Sequence, residues 1–156
     1  MSAYVTVLNS CKYLYLTELG EPTDNVLRIV LTEAALGRPL TEESLSDHQP
    51  EIRAALASAG VRAIEHHPGC RTFELVWPSY IGYSVRDESF SLPESEEGEG
   101  QIFVQYTKSK YLDFITTATF ANSDFPGPFK HWAIYCLNHS LDVVSTKEPI
   151  VEIRNN

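Results

Sequence analysis

Short segments of alternating apolar and polar residues, separated by turn-forming residues, are the feature that most limits how this chain folds. The clearest is 71–77, where Phe73, Leu75 and Trp77 alternate with Glu74 and Val76. Alternation with a period of two places one set of side chains on each face of a β-strand. Because Gly, Pro, Asn and Asp interrupt these segments at short intervals, the pattern predicts a mostly antiparallel sheet.

Strands are predicted at 4–8, 26–32, 61–65, 71–77, 80–86, 101–106, 132–137, 141–145 and 150–153, with 12–16 as a continuation of the first. Helices are predicted at 50–59 and 110–120, and a short helical turn at 41–45. Pro50 near the start and Gly60 after the end are typical of a helix, and Ser109 is a suitable N-cap for the other. Because the helices do not alternate strictly with the strands, we predict an α+β fold with two or three helices packed on one side of the sheet.

The length of 156 residues and a hydrophobic content of 43% predict a single α+β domain covering residues 1–156. No apolar run approaches the roughly 20 residues that cross a bilayer. The apolar positions of the predicted elements give this core: Val5, Val7, Leu27, Ile29, Leu31, Leu56, Phe73, Leu75, Trp77, Val85, Phe103, Leu112, Ile115, Trp132, Ile134, Cys136, Val143 and Ile150.

Negative charge is concentrated in one stretch of the chain. The net charge is −9, and six of the acidic residues fall within 87–99, which has no Lys or Arg: Asp87, Glu88, Glu94, Glu96, Glu97 and Glu99. We expect 80–86 to pair with 101–106, so that residues 88–100 form the tip of a long hairpin. A solvated, mobile loop without a partner is one interpretation of this stretch. The other is a surface that attracts a basic protein.

Aromatic residues flank the acidic stretch, and Tyr80 and Tyr83 are candidate anchors for a protein partner. Ordinary cross-strand aromatic pairs and the wall of a small-ligand groove are the alternatives for these residues.

Reactive side chains are densest at 131–142, where His131, Cys136, His139 and Asp142 occur. A Cys beside a His can act as a nucleophile, which makes a hydrolase or transferase the alternative function. The spacing places Cys136 and the histidines on opposite faces of a strand. A buried Cys136 and a surface His139 are therefore the expected arrangement. The spacing also matches no common zinc motif, so no catalytic residue, metal or cofactor is predicted.

The remaining composition narrows the class of partner and the compartment. A pI of about 4.9 argues against nucleic-acid binding. The N-terminal residues lack the pattern of a secretory signal. Three widely spaced cysteines do not form a disulfide framework, which favours a reducing, cytoplasmic location. Oligomeric state is left open.

Three runs resemble segments of small uncharacterised bacterial proteins: 80–90 (YIGYSVRDESF), 108–115 (KSKYLDFI) and 131–144 (HWAIYCLNHSLDVV). In size, acidity and α+β pattern the chain is similar to bacterial toxin-immunity proteins as a class. The resemblance implies a cytoplasmic protein that binds and neutralises a basic, nuclease-type toxin. It transfers no functional residue, because immunity proteins have many folds.

Overall fold

The computed structural model describes residues 2–92, 94 and 97–155. Its helices are α1 (Ala3–Ser10), α2 (Pro50–Ser58) and α3 (Lys110–Ala118). Its strands are β1 (Tyr13–Gly20), β2 (Leu27–Pro39), β3 (Arg62–Glu65), β4 (Arg71–Trp77), β5 (Gly82–Asp87), β6 (Phe103–Tyr106), β7 (Lys130–Tyr135), β8 (His139–Ser145) and β9 (Ile150–Asn155). Short 3-10 turns occur at Glu43–Leu45 and Glu88–Phe90. The α+β class is confirmed.

The strands form two antiparallel sheets. The first sheet has the order β1-β2-β4-β9, and β3 pairs with the far end of β2. Leu75 at its centre lies opposite Ile29 of β2 and Val151 of β9. Most predicted strands in this sheet are confirmed, and β2 is longer than expected because its second half pairs with β3.

The second sheet has the order β5-β8-β7-β6. The predicted hairpin of 132–137 with 141–145 is confirmed as β7 and β8. The predicted pairing of 80–86 with 101–106 is wrong, because β5 pairs with β8 and β6 pairs with β7. The two strands lie at opposite edges of the sheet, about 14 Å apart for three strand spacings. Residues 88–100 are therefore a connection between the edges and not the tip of a hairpin.

The hydrophobic core lies between the two sheets. Phe73, Leu75 and Trp77 of the first sheet belong to the same buried cluster as Trp132 and Ile134 of the second. The rings of Trp77 and Trp132 meet edge to face, with centroids 6.1 Å apart. Most of the predicted core is buried. The exceptions are the half-buried Val5, Val7 and Leu56 of α1 and α2 and the exposed Val85 and Ile150 of the edge strands β5 and β9.

The predicted strand at 4–8 is wrong, because these residues belong to helix α1. The β-branched valines of this segment favour a strand by local propensity. Two contacts outside the segment favour the helix. Leu8 is fully buried in the core, and the Asn9 amide bonds to the backbone of residues 101–103. Tertiary contacts therefore override the local preference of the segment.

The other two helices differ in how they pack. In α3, Leu112 and Ile115 are buried against Val144 on the outer face of the second sheet, as predicted for the helix at 110–120. The helix predicted at 50–59 is confirmed as α2, but none of its nine residues, all of them described, is buried. No helix in the described part of the chain is long and apolar enough to cross a membrane.

Candidate functional site

The acidic segment, which we define as residues 87–99, crosses the outer face of the second sheet. It leaves the sheet at the β5 edge and re-enters it at the β6 edge. Along the way Leu92 and Gly98 line a cleft together with Val104, Tyr106 and Tyr135, which belong to β6 and β7. The sequence could not show this path, because it depends on two strand pairings between distant residues.

Hydrogen bonds hold the acidic segment at several points. Asp87 accepts a bond from the Ser89 amide at 2.9 Å. Glu94 accepts one from the Lys110 amide at 3.1 Å, at the amino terminus of α3, where the helix dipole favours a carboxylate. The backbones of Glu99 and Gln105 exchange two bonds, at 3.2 and 3.1 Å. The described parts of the segment are therefore tied to α3 and β6.

Gly98 allows the segment to approach the sheet closely. A Cβ at this position would overlap Val104 and come within 2.6 Å of the Tyr106 ring. Neither side chain is a flexible tip that could move aside at small cost. Glycine is therefore required here for packing.

Asn9 of α1 fixes the end of the connection, and sequence reasoning missed it. Its Oδ1 accepts bonds from the amides of Gln101, Ile102 and Phe103 at 2.9, 2.8 and 3.1 Å. Its Nδ2 donates to the Phe103 carbonyl at 3.0 Å. Asn9 precedes Ser10 at the end of an apolar run, and its position gave no indication of this role, because all three amides lie more than ninety residues away.

The acidic segment presents both charge and apolar surface to solvent. The acidic residues Asp87, Glu88, Glu97 and Glu99 are exposed, while Glu94 is half-buried. Between them, Phe90 is 85% exposed and Leu92 is 75% exposed. Predicted site residue Glu96 lies outside the described residues. Large apolar side chains this exposed beside charged groups are typical of interaction surfaces.

Tyr80 and Tyr83 do not lie with the acidic segment. Their rings meet edge to face with centroids 5.0 Å apart and pack against the core between the sheets. The Tyr80 hydroxyl donates to Glu21, and this hydrogen bond raises the pKa of Tyr80 to about 12. The exposed Phe90 and Leu92 are better placed to anchor a partner.

A buried polar network under α3 is the second feature that sequence reasoning missed. The Ser109 hydroxyl accepts a bond from the Leu112 amide at 3.0 Å and is hydrogen-bonded to Nδ1 of His131 at 2.8 Å. His131 Nε2 then donates to Asp142 at 2.9 Å, and Arg86 also binds Asp142, at 2.7 Å. Burial opposes ionisation of Asp142, but the bonds from His131, Arg86 and Ser84 hold its pKa below the usual value.

The burial and hydrogen bonding of this network suit a structural role. Ser109 is 1% exposed, and its hydroxyl bonds to the Leu112 amide and to His131. A nucleophile must reach its substrate, and this hydroxyl is enclosed. The network therefore joins α3 to β7 and β8 and positions the helix beside the acidic segment.

Cys136 and the histidines are not brought together as a nucleophile and base. His131 bonds to Ser109 and Asp142, and Cys136 meets His139 through a backbone hydrogen bond of 2.9 Å. Cys136 is 5% exposed, and burial raises the pKa of its thiol to about 12. As expected, Cys136 is buried. His139 is half-buried at the start of β8 and not at the surface of a turn.

Within the described residues, no three His, Cys, Asp or Glu side chains are grouped to hold a metal.

Two connected clefts lie between the acidic segment, α3 and the outer face of the second sheet, and they share Leu92, Glu94 and Tyr135. The helix-side cleft, of about 400 Å³, is also lined by Arg86, Lys110, Tyr111, Phe114 and Asp142. The segment-side cleft, of about 410 Å³, is also lined by Glu88, Val104 and Tyr106.

Comparison with protein-family models, with curated proteins and with solved structures finds no match for this chain.

Proposed function

We propose that this chain is a protein-binding module that recognises a basic protein surface through the acidic segment. The observation that carries the proposal is the exposure of Phe90 and Leu92 among exposed carboxylates, on a segment whose described parts are hydrogen-bonded to α3 and β6. Such a surface combines apolar anchors with a negative rim.

Two properties of the described parts of the segment support binding, namely their hydrogen bonds and their charge. The hydrogen bonds of Glu94 to α3 and of Glu99 to β6 reduce the entropy lost when a partner docks. The clustered carboxylates accelerate encounter with a positively charged partner, an effect that salt weakens. The resemblance to toxin-immunity proteins makes a basic, nuclease-type toxin in the bacterial cytoplasm the proposed target. The carboxylates would then occupy the place of its polyanionic substrate.

The first test compares two variants with equal changes in net charge. Glu88→Gln/Glu97→Gln/Glu99→Gln removes charge from the acidic segment. Glu42→Gln/Glu43→Gln/Glu51→Gln removes the same charge from exposed positions near and in α2. Tagged wild type and both variants are used to capture proteins from native host lysate at low and moderate salt. We expect one basic protein to be recovered by wild type and by the α2 variant, lost with the segment variant and lost as salt rises.

The purified partner then gives rates. The segment variant should associate about tenfold more slowly, with a weaker salt dependence, whereas Phe90→Ser should mainly accelerate dissociation. If the captured protein is a nuclease, wild type should block its cleavage of nucleic acid. Identical capture by wild type and both variants would contradict the proposal.

A further inference from the structure

We infer that the segment-side cleft receives a lysine or arginine side chain of the partner, an inference that rests on the proposed function. The cleft lies between the acidic segment and the outer face of the second sheet, with a volume of about 410 Å³. That volume is within the usual range for sites that enclose a small group. The cleft is therefore large enough for one long side chain.

The charge of the lining favours a cation. Glu88 and Glu94 both line this cleft, and the described residues that line it include no Lys or Arg. Glu94 also accepts a hydrogen bond from the Lys110 amide, which orients its carboxylate. A cation entering here would therefore meet the side chains of Glu88 and Glu94.

The apolar part of the lining suits the rest of such a side chain. Leu92 and Val104 can contact the methylene groups of a lysine or arginine, which pack on apolar surface while the charged end is bound. Tyr106 and Tyr135 supply aromatic rings, which attract cations. Their hydroxyls are hydrogen-bonded to each other at 3.1 Å, which holds the two rings together.

The helix-side cleft is less suitable for a cation. Two cationic residues, Arg86 and Lys110, line it beside Asp142 and the shared Glu94. Asp142 is already bound by Arg86 at 2.7 Å and by His131 at 2.9 Å. An incoming cation would have to compete with Arg86 there. The difference in lining charge selects the segment-side cleft.

Nuclear magnetic resonance titration with two matched probes tests the inference. N-acetyl-arginine amide carries the guanidinium group, and N-acetyl-citrulline amide is an uncharged molecule of nearly the same shape. We expect the arginine probe to shift the signals of Leu92, Val104, Tyr106 and Tyr135 and the citrulline probe to leave them unchanged. Glu88→Gln should lower the affinity for the arginine probe several-fold. Glu88→Lys should abolish its binding, because it introduces a cation at the cleft, while Glu43→Gln should have no effect.

Several results would overturn the inference. These are equal shifts with both probes, shifts confined to the Arg86 and Lys110 end, or no shift up to the solubility limit of the arginine probe. Failure here is distinct from failure of the proposed function. Loss of protein capture by the segment variant, without arginine binding, would remove only the cleft inference. Arginine binding with unchanged protein capture would leave a small-cation site and contradict the proposed function.

Discussion

Glu33 and Arg71 lie opposite one another on β2 and β4, and their ion pair is a source of stability that depends on pH. The Arg71 guanidinium donates two bonds of 2.7 Å to the Glu33 carboxylate, and the Arg71 amide adds a third at 3.0 Å. The side-chain hydrogen bonds from Arg71 lower the pKa of Glu33 from 4.5 to about 2. The folded protein therefore keeps this carboxylate ionised at a pH where the unfolded chain binds a proton.

The sign of the pH dependence follows from that shift. Stability from Glu33 is fully present above pH 4.5 and is lost as pH falls towards 2. We expect Glu33→Gln to lower the free energy of unfolding at neutral pH by roughly 2–3 kcal/mol and to flatten its decline over this range. Urea unfolding at several pH values measures both effects. Glu152→Gln is the control, because its pair with Arg154 is exposed on both sides, and an equal loss in that variant would contradict the assignment.

Residue types alone revealed only part of the site. Acidic charge at 87–99 and a buried Cys136 follow directly from composition and strand pattern. The roles of Asn9 and His131 do not. Each depends on partners far along the chain: Asn9 bonds to residues more than ninety positions away, and His131 bonds to Ser109 and Asp142. A polar residue in an apolar segment indicates that a partner exists but does not identify it.

Helix α3 depends on Ser109 at two points, through the bond from the Leu112 amide and the bond to His131. Ser109→Ala removes the cap and leaves His131 without its second partner in a buried site. We expect a loss of about 2–3 kcal/mol in the free energy of unfolding. Thr117→Ala is the control on the same helix, because its hydroxyl bonds only to the Asp113 carbonyl at an exposed position. Similar losses in the two variants, measured by urea unfolding, would exclude a special role for Ser109.

The acidic segment depends on Gly98 for its close contact with the second sheet. Gly98→Ala places a methyl group against Val104 and Tyr106, so the segment must move away from the sheet. We expect faster amide hydrogen exchange at Glu99 and Gln105, whose backbones are paired, while the strands of the first sheet keep their protection. Gly20→Ala is the control, because a Cβ there meets nothing within 4 Å. Unchanged exchange in the Gly98 variant would show that the contact does not hold the segment.

The wrong pairing of 80–86 with 101–106 has a physical origin at the level of elements. Strands that follow one another in sequence usually pair, because the intervening loop is easy to close. Here β5 and β6 each have a longer-range partner that belongs to the buried core: β8 contributes Leu141 and Val143, and β7 contributes Trp132 and Ile134. The long connection accommodates this arrangement because its described parts are hydrogen-bonded to α3 through Glu94 and to β6 through the backbone of Glu99.

At the scale of the whole molecule, the alternating pattern predicted most strands and the α+β class. It could not predict that the strands divide into two sheets. Alternation shows that one face of a strand is buried, but both a helix layer and a second sheet can cover that face. Long-range pairings decide between them, such as Phe73 with Ile153 of β9, and these are absent from any local pattern.

The shared core predicts that the two sheets unfold together. Trp77 lies in the first sheet and Trp132 in the second, both at most 1% exposed and in one buried cluster. Loss of either sheet exposes the core surface of the other, which couples their stabilities. We expect tryptophan fluorescence and far-ultraviolet circular dichroism to report one coincident urea transition. Trp77→Ala should lower the unfolding free energy by about 3–5 kcal/mol while keeping the transitions coincident, whereas Ile150→Ala, at a position 65% exposed, should change it by less than about 0.5 kcal/mol. Fluorescence and circular dichroism midpoints that separate in wild type would contradict a shared core, because each sheet would then be stable without the other.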